Sequence, residues 1–313
     1  MRITIIGAGA LGCLFGALLS RRADVTLLDR SPEVVDTLRR QGLRLLEGDE
    51  ERTCRVAATT LAADAGRADL ALILVKSGGT AWAAAQAQQV LAPDGLALTL
   101  QNGLGNREIL SGLLGSGRAC QGVTAQGATL LGPGRVRHAG AGATHLETRP
   151  EIAERMQAFA GVFAEAGIET HLSPDLNGLV WGKLIVNAGI NALTAILRVP
   201  NGMLAEIPAA AGIMAQVVAE AACVAEAKGI KLPYTDAQAQ VLAVCRATAA
   251  NRSSMLQDVL RDRPTEIEAI NGAVVRIAAE QGLAAPVNSM LADLVRALDA
   301  GIAGRVHPGK GEN

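Results

Sequence analysis

The sequence predicts an α/β protein: a doubly wound parallel sheet in the N-terminal half and an all-helical C-terminal domain. Three observations carry this expectation. The chain opens on a β-branched run, Arg2 to Ile6, followed at once by G-x-G-x-x-G at Gly7, Gly9 and Gly12. Apolar strand-like runs then alternate with helix-period segments, the pattern of βαβ units. Beyond residue 176 apolar residues recur at three- and four-residue spacing, the helical period. The expected boundaries are a first domain over 1–173, a second over 174–305 and a loose polar tail over 306–313.

Each element follows from local chemistry. The glycine spacing permits a tight turn, a close backbone approach to a pyrophosphate, and tight packing of the next helix, whose N-terminus faces the phosphate charge. That helix is expected over 10–21, and a strand over 25–29 ends on the acidic Asp29. An acidic residue about 20 positions on completes the dinucleotide-binding fingerprint of a Rossmann domain. Ser31-Pro32-Glu33 reads as an N-cap with proline at the first helical position, opening a helix to about residue 41. Residues 43–58 mix short strands with a charged turn. The apolar runs 70–75 and 96–100 read as strands, the first of them covered on both faces, and 80–91 reads as a helix. Residues 120–147 break into strand-like pieces between Gly-rich turns, which either extend the sheet or form an edge hairpin. A helix over 151–167 and a Pro174-bearing linker over 171–177 follow. Helices are then expected over 176–197, 207–228, 235–250, 265–281 and 289–300.

Composition bounds the rest. Of 313 residues 50% are hydrophobic and 2% aromatic, so the core is aliphatic. A net charge of −1 offers no basic excess for nucleic acid. Five scattered cysteines without C-x-x-C suit a reducing cytoplasm and small core roles. The most membrane-like stretch, 178–199, is interrupted by Lys183, Asn187, Asn191 and Arg198, so it reads as a buried helix with a polar stripe. The expectation is no membrane partner, with the Ala-rich helical domain offering a face for a homodimer.

Lys183, Asn187 and Asn191 stand at i, i+4 and i+8, on one face of a helix and spanning about 12 Å. Buried polar groups without partners cost about 1–3 kcal/mol each, so the stripe either lines a wet or liganded cleft or forms a hydrogen-bond ladder between helices. Lys76 and Asn102 follow the strand-like runs ending at 75 and 100, where ligands of open parallel sheets bind. In N-R-S-S-M-L-Q-D, Asn251 or Ser253 either caps a helix or holds a carboxylate. Glu266 reads as a charge near a helix start.

Taken together, GAGALG, VK, QNG, KLIVNAGINALTA, the PNG at 200–202, NRSSMLQD and TEIEAING resemble the ketopantoate reductase (2-dehydropantoate 2-reductase) family, in the 6-phosphogluconate-dehydrogenase-like group of two-domain enzymes. The resemblance reaches to about Leu298. It implies that Gly7, Ala8, Gly9, Ala10, Leu11 and Gly12 hold the cofactor pyrophosphate, with Lys76, Asn102 and Ala128 as further cofactor contacts. Lys183 matches the family's catalytic lysine, and Asn187, Asn191, Asn201, Asn251, Ser253 and Ser254 match substrate contacts. Glu266 matches a glutamate at the cofactor ribose. The implied reaction is NADPH-dependent reduction of ketopantoate on the route to pantothenate, with Arg30 meeting the 2′-phosphate of NADP(H). Asp29 beside it stands where an NAD(H) enzyme holds the ribose 2′-hydroxyl, which leaves NAD(H) open. No metal is implied, since His138, His145, His171 and His307 lack ligand spacing. Two further functions stay open: reduction of another keto acid, and nicotinamide sensing without turnover.

Overall fold

The structure, a computed structural model, describes residues 1–302; the tail expected from residue 306 lies outside the described residues. The chain divides into two units, Met1–Gln101 with Gly105–Leu176, and Asn102–Leu104 with the chain from Asn177 onward.

The first unit is built on β1 (Arg2–Ile6), β2 (Asp24–Leu28), β5 (Ala57–Thr59), β6 (Ala68–Ile73), β7 (Leu91–Thr99), β8 (Ala119–Thr124), β11 (Thr144–Glu147) and β12 (Thr170–Ser173). They form one sheet in the order β12-β11-β8-β7-β6-β1-β2-β5. The strands from β5 to β8 run parallel, while β11 and β12 run antiparallel to them. The chain leaves β1 toward β2 and β5, then returns to β6 on the other side of β1. The carboxyl ends of β1 and β6 therefore meet at the switch point of a doubly wound sheet, where such folds bind ligands.

Helices α1 (Ala10–Leu19), α2 (Pro32–Gln41), α3 (Thr80–Val90), α4 (Asn106–Leu114) and α5 (Ala153–Glu165) complete this unit. The α1 helix is buried on every side from Gly12 to Leu19. A second sheet explains that: β3 (Leu43–Glu47), β4 (Glu50–Cys54), β9 (Gly127–Gly132) and β10 (Arg135–Gly140) associate in the order β4-β3-β10-β9. Leu43, Leu45 and Val136 of this small sheet share a core with Leu14, Phe15 and Leu18 of α1. The two alternatives for 120–147 are thus divided between its parts: β8 and β11 extend the large sheet, and the β9–β10 hairpin joins the small one. Cys13 and Cys120 are buried, and burial pushes both thiols up to about 12, far from nucleophilic ionisation.

One correction concerns the expected linker. Its first three residues, 171–173, belong instead to β12, the edge strand paired residue for residue with β11 from Thr144↔Thr170 to Glu147↔Ser173. Four residues with one apolar member, Leu172, carry too little alternation to read as a strand, and their backbone pairing alone makes them one.

The second unit has no strand among its described residues. Its centre is α6 (Asn177–Leu197), surrounded by α7 (Met203–Glu206), α8 (Pro208–Ala227), α9 (Ala237–Ala247), α10 (Ser254–Val259), α11 (Asn271–Glu280) and α12 (Pro286–Ala300). Both α6 and α8 are long and apolar enough to cross a membrane by length and composition alone. The apolar window of α6 is 72% buried inside the structure, as befits a core helix, and that of α8 is 39% buried. The single helix expected over 265–281 is broken: a 3-10 turn, Ile267–Ala269, precedes α11, and Ile270 between them is non-helical at φ −108, ψ −95. The Ala269 carbonyl, which a continuous helix would offer to residue 273, accepts the Leu104 N–H instead (2.9 Å).

Candidate active site

In the first unit the turn after β1 has the geometry its glycines demand. Gly7 adopts φ +105, and a Cβ there would lie 2.8 Å from Val75. A Cβ on Gly12 would fall 1.8 Å from the Gly7 carbonyl oxygen, so α1 packs this closely only on glycine. At Gly9 a Cβ would meet nothing within 4 Å, and as N-cap Gly9 puts no side chain over the first-turn N–H groups of α1. Open space facing a helix N-terminus that no side chain caps fits a pyrophosphate. Ala8 is buried, while Ala10 and Leu11 are half-buried in the first turn.

Asp29 does more here than mark the end of a strand. Its Oδ2 accepts the Ala8 N–H (2.7 Å) and its Oδ1 the Ser31 N–H (2.9 Å), so the carboxylate straps the glycine turn to the start of α2. Arg30 beside it is exposed. Lys76 is exposed, two residues past Leu74. Its loop is fixed by Gln101, whose Nε2 donates to the Val75 carbonyl and to Thr80 Oγ1 (both 2.9 Å), a role that the sequence reading did not anticipate. Ala128 lies in β9 opposite His138, half-buried against the core around α1.

In the second unit α6 presents Lys183, Asn187 and Asn191 one turn apart; the first two are half-buried and Asn191 is buried. Burial pushes the Lys183 ammonium down from its ordinary 10.5 to about 8, and the Glu266 carboxylate opposes that fall. Glu266 is itself only 5% exposed, and Asn102 Nδ2 donates to its Oε2 (3.4 Å). Asn102 reaches Glu266 because the Asn102–Leu104 segment folds into this helical unit rather than with the sheet from which it emerges. Gly103 makes that possible: at φ +83, a Cβ would stand 2.3 Å from the Ala269 carbonyl oxygen.

The remaining sequence-assigned residues fall into two groups. Asn201 is buried, following Arg198, which leaves α6 at a positive φ of 57. Its Nδ2 donates to Thr248 Oγ1 (2.9 Å) and its N–H to the Asn251 carbonyl (2.9 Å), while among the described residues its buried Oδ1 has no partner. Asn251 and Ser254 are exposed. Ser253 is the N-cap of α10, its Oγ accepting the Leu256 N–H (3.0 Å) and the Thr194 hydroxyl (2.7 Å). Capping is therefore one of its roles. Thr194, three residues after Asn191, continues the polar stripe by one turn; extending the helical spacing along α6 would have found it.

Two family models cover almost all of the chain: ketopantoate reductase PanE/ApbA over residues 3–151, and ketopantoate reductase PanE/ApbA C terminal over residues 175–299. The chain belongs to the ketopantoate reductase family. It is 38% identical to the 2-dehydropantoate 2-reductase of Halobacterium salinarum over 95% of this chain and 98% of that one. A PanE/ApbA family ketopantoate reductase from Ralstonia eutropha JMP134 superposes with a TM-score of 0.89 at 34% identity, covering 97% of this chain and 100% of the other. A D-mandelate dehydrogenase solved with NADH and anilino(oxo)acetate also reaches 0.89, at 28% identity over 97% and 100% of the two chains. Reductases of this family are oxidoreductases acting on a CH–OH group. The second unit carries Lys183 on an apolar helix beside the buried Glu266 carboxylate, with Asn187, Asn191 and Thr194 further along that helix.

Proposed function

We propose that this protein reduces 2-dehydropantoate to (R)-pantoate, with Lys183 as the acid. The observation that carries the reading is the Lys183–Glu266 pair, an ammonium brought to about 8 by burial beside a carboxylate. A proton donor works best when its pKa lies near the working pH. The glycine turn at Gly7 to Gly12 would hold the dinucleotide's pyrophosphate, with Lys76, Ala128 and Asn102 as further contacts. When bound, the nicotinamide supplies hydride to the C2 ketone. Lys183 stabilises the charge developing on the ketone oxygen and gives it a proton, leaving a neutral amine that regains a proton from water. Glu266 keeps the ammonium charged between turnovers. Asn187, Asn191 and Asn201 orient the substrate's carbonyl and hydroxyl, and Asn251, Ser253 and Ser254 hold its carboxylate.

NADPH is the donor that the family resemblance favours, with Arg30 at the 2′-phosphate. One observation favours NADH as a second reading: the Asp29 carboxylate is held at the end of β2 by two backbone N–H groups, where its charge repels a phosphate. The similarity to a D-mandelate dehydrogenase likewise supports a second substrate, the 2-keto acid corresponding to mandelate. Steady-state turnover with each keto acid and each cofactor tests all of this. The expected result is highest kcat/KM with ketopantoate; saturable cofactor binding without oxidation by either acid would overturn the enzyme reading.

A further inference from the structure

Asn271 is completely buried at the first position of α11, and the mechanism above does not use it. Its Nδ2 donates to the Ala188 carbonyl of α6 (3.2 Å) and to Asn288 Oδ1 (3.0 Å). Its Oδ1 is buried without a partner among the described residues. An apolar side chain of the same shape would spare that orphan acceptor, so this amide is used for its donor end. The bond reaches a telling place. Ala188 lies between Asn187 and Asn191 on α6, a little over one turn past Lys183, and Asn271 lies as many residues past Glu266.

Behind Asn271 the bonding continues. Asn288, also fully buried, donates through Nδ2 to the Val217 carbonyl (3.1 Å) and to Glu220 Oε2 (2.7 Å), both on α8. Glu220 in turn accepts the N–H groups of Val287 and Asn288 at the start of α12 (2.9 Å each). One connected chain thus ties α8, α12 and α11 to the carbonyl edge of α6.

The Glu266 turn needs such an anchor, because Ile270 breaks the helix that would otherwise carry it. Before Glu266, Thr265 is tied to Asp299 through its N–H (3.1 Å) and hydroxyl (2.7 Å). After it, the Asn271 bond runs directly to the helix bearing Lys183. We propose that Asn271, braced by Asn288 and Glu220, is a positioning residue that sets the separation of Glu266 from Lys183. This rests on the reading of Lys183 as the acid.

The charges around α6 leave Glu266 in that role. Glu220 of α8 is committed to the α12 N-terminus, and Arg296 of α12 pairs with Glu268 and Asp293. Asp299 of α12 serves Thr265. Glu206 of α7, Glu226 of α8 and Arg246 of α9 are exposed, and Asp258 is buried in α10. Tyr234, before α9, donates its hydroxyl to the Gly182 carbonyl (3.1 Å), and burial pushes it up to about 12, so it is neutral.

The test is the pH profile of kcat for Asn271→Leu and Glu220→Gln beside wild type and Lys183→Met, with thermal melting as the check on folding. Releasing Glu266 from Lys183 weakens the field that holds the proton, so the alkaline limb of Asn271→Leu is expected about half a unit or more lower. Glu220→Gln, at the far end of the chain, is expected to move it the same way by less. A merely loosened fold would lower the melting temperature and leave the alkaline limb where it is in wild type. An unmoved alkaline limb in a folded Asn271→Leu overturns the proposal; if that variant does not fold, an unmoved limb in Glu220→Gln overturns it. If Lys183→Met retains turnover, the acid assignment itself fails and the positioning role with it. If Lys183→Met is inactive while both other limbs stay put, the positioning role alone fails.

Discussion

The glycine turn of the first unit and the polar stripe of the second are opposite kinds of site. The turn is made by backbone: Gly7, Gly9 and Gly12 act through what they lack, and its one essential side chain, Asp29, binds the loop itself. The stripe is made by side chains on a regular helix, and its character comes from elsewhere in the fold. Glu266 arrives from a broken helix and Asn102 from a segment that leaves the sheet. Added volume tests the turn and altered side-chain chemistry tests the stripe, so substitutions in each should separate binding from chemistry.

The sharpest break is Lys183→Met, which keeps length and apolar packing and removes the proton. A general acid contributes about 10²–10⁴-fold, so kcat should fall by that order while cofactor affinity, measured by fluorescence titration, stays put. The same residue should give the pH profile its shape. Its ammonium is lowered to about 8, so the protonated form dominates at neutral pH and is lost as pH rises through about 8. Above that point kcat should fall by about tenfold per unit. Turnover that stays level to pH 10 in wild type would remove Lys183 from the mechanism.

The opposite result is expected at Gly9→Val. A Cβ there meets no protein atom within 4 Å, so the fold should melt close to its wild-type temperature. The side chain instead fills the space in front of α1, and cofactor affinity should fall by about tenfold or more, equivalent to about 1.4 kcal/mol. Gly9→Val protein that binds cofactor at wild-type strength would show that the pyrophosphate lies elsewhere.

How legible each region was follows from the same contrast. The glycine turn, β1, α1 and the Ser31 cap could be read residue by residue because their signals are local. The α6 stripe was legible because helical spacing is fixed. What could not be read depends on distant partners. Thr170–Ser173 is a strand only because β11 pairs with it, and the Ile267–Ala269 turn ends because Leu104 takes the Ala269 carbonyl. Gln101 and Asn271 are polar residues whose bonds run to Val75 and Ala188, and no spacing rule connects them.

Asp29 lies between the two kinds of site, since its side chain serves both the turn and the choice of cofactor. Asp29→Ala removes the acceptor of the Ala8 N–H and the charge that repels a 2′-phosphate. Affinity for both cofactors should drop. The NADPH-to-NADH ratio of kcat/KM should rise by about tenfold, as expected for losing a close like charge worth about 1.4 kcal/mol. An unchanged ratio would assign Asp29 to the loop alone and leave selectivity to Arg30.

The smallest effect makes the finest comparison, because each unit has a serine doing the same structural task. Ser31 caps α2, its Oγ accepting the Val34 N–H at 3.4 Å, and Ser253 caps α10 through Leu256 at 3.0 Å. Replacing either with alanine should lower stability by about 1 kcal/mol, with Ser31 at the low end because its bond is long. Their effects on the keto acid should differ. Ser253 also bonds the Thr194 hydroxyl, which keeps the Ile190 carbonyl (2.8 Å) as a partner, so the loss of Ser253 chiefly withdraws one donor from the substrate carboxylate. Ser253→Ala should therefore raise the keto-acid KM several-fold, by about 0.5–1.5 kcal/mol for a lost hydrogen bond, while Ser31→Ala leaves it unchanged. Equal keto-acid KM in the two variants would reduce Ser253 to a cap and move carboxylate recognition to Asn251 and Ser254.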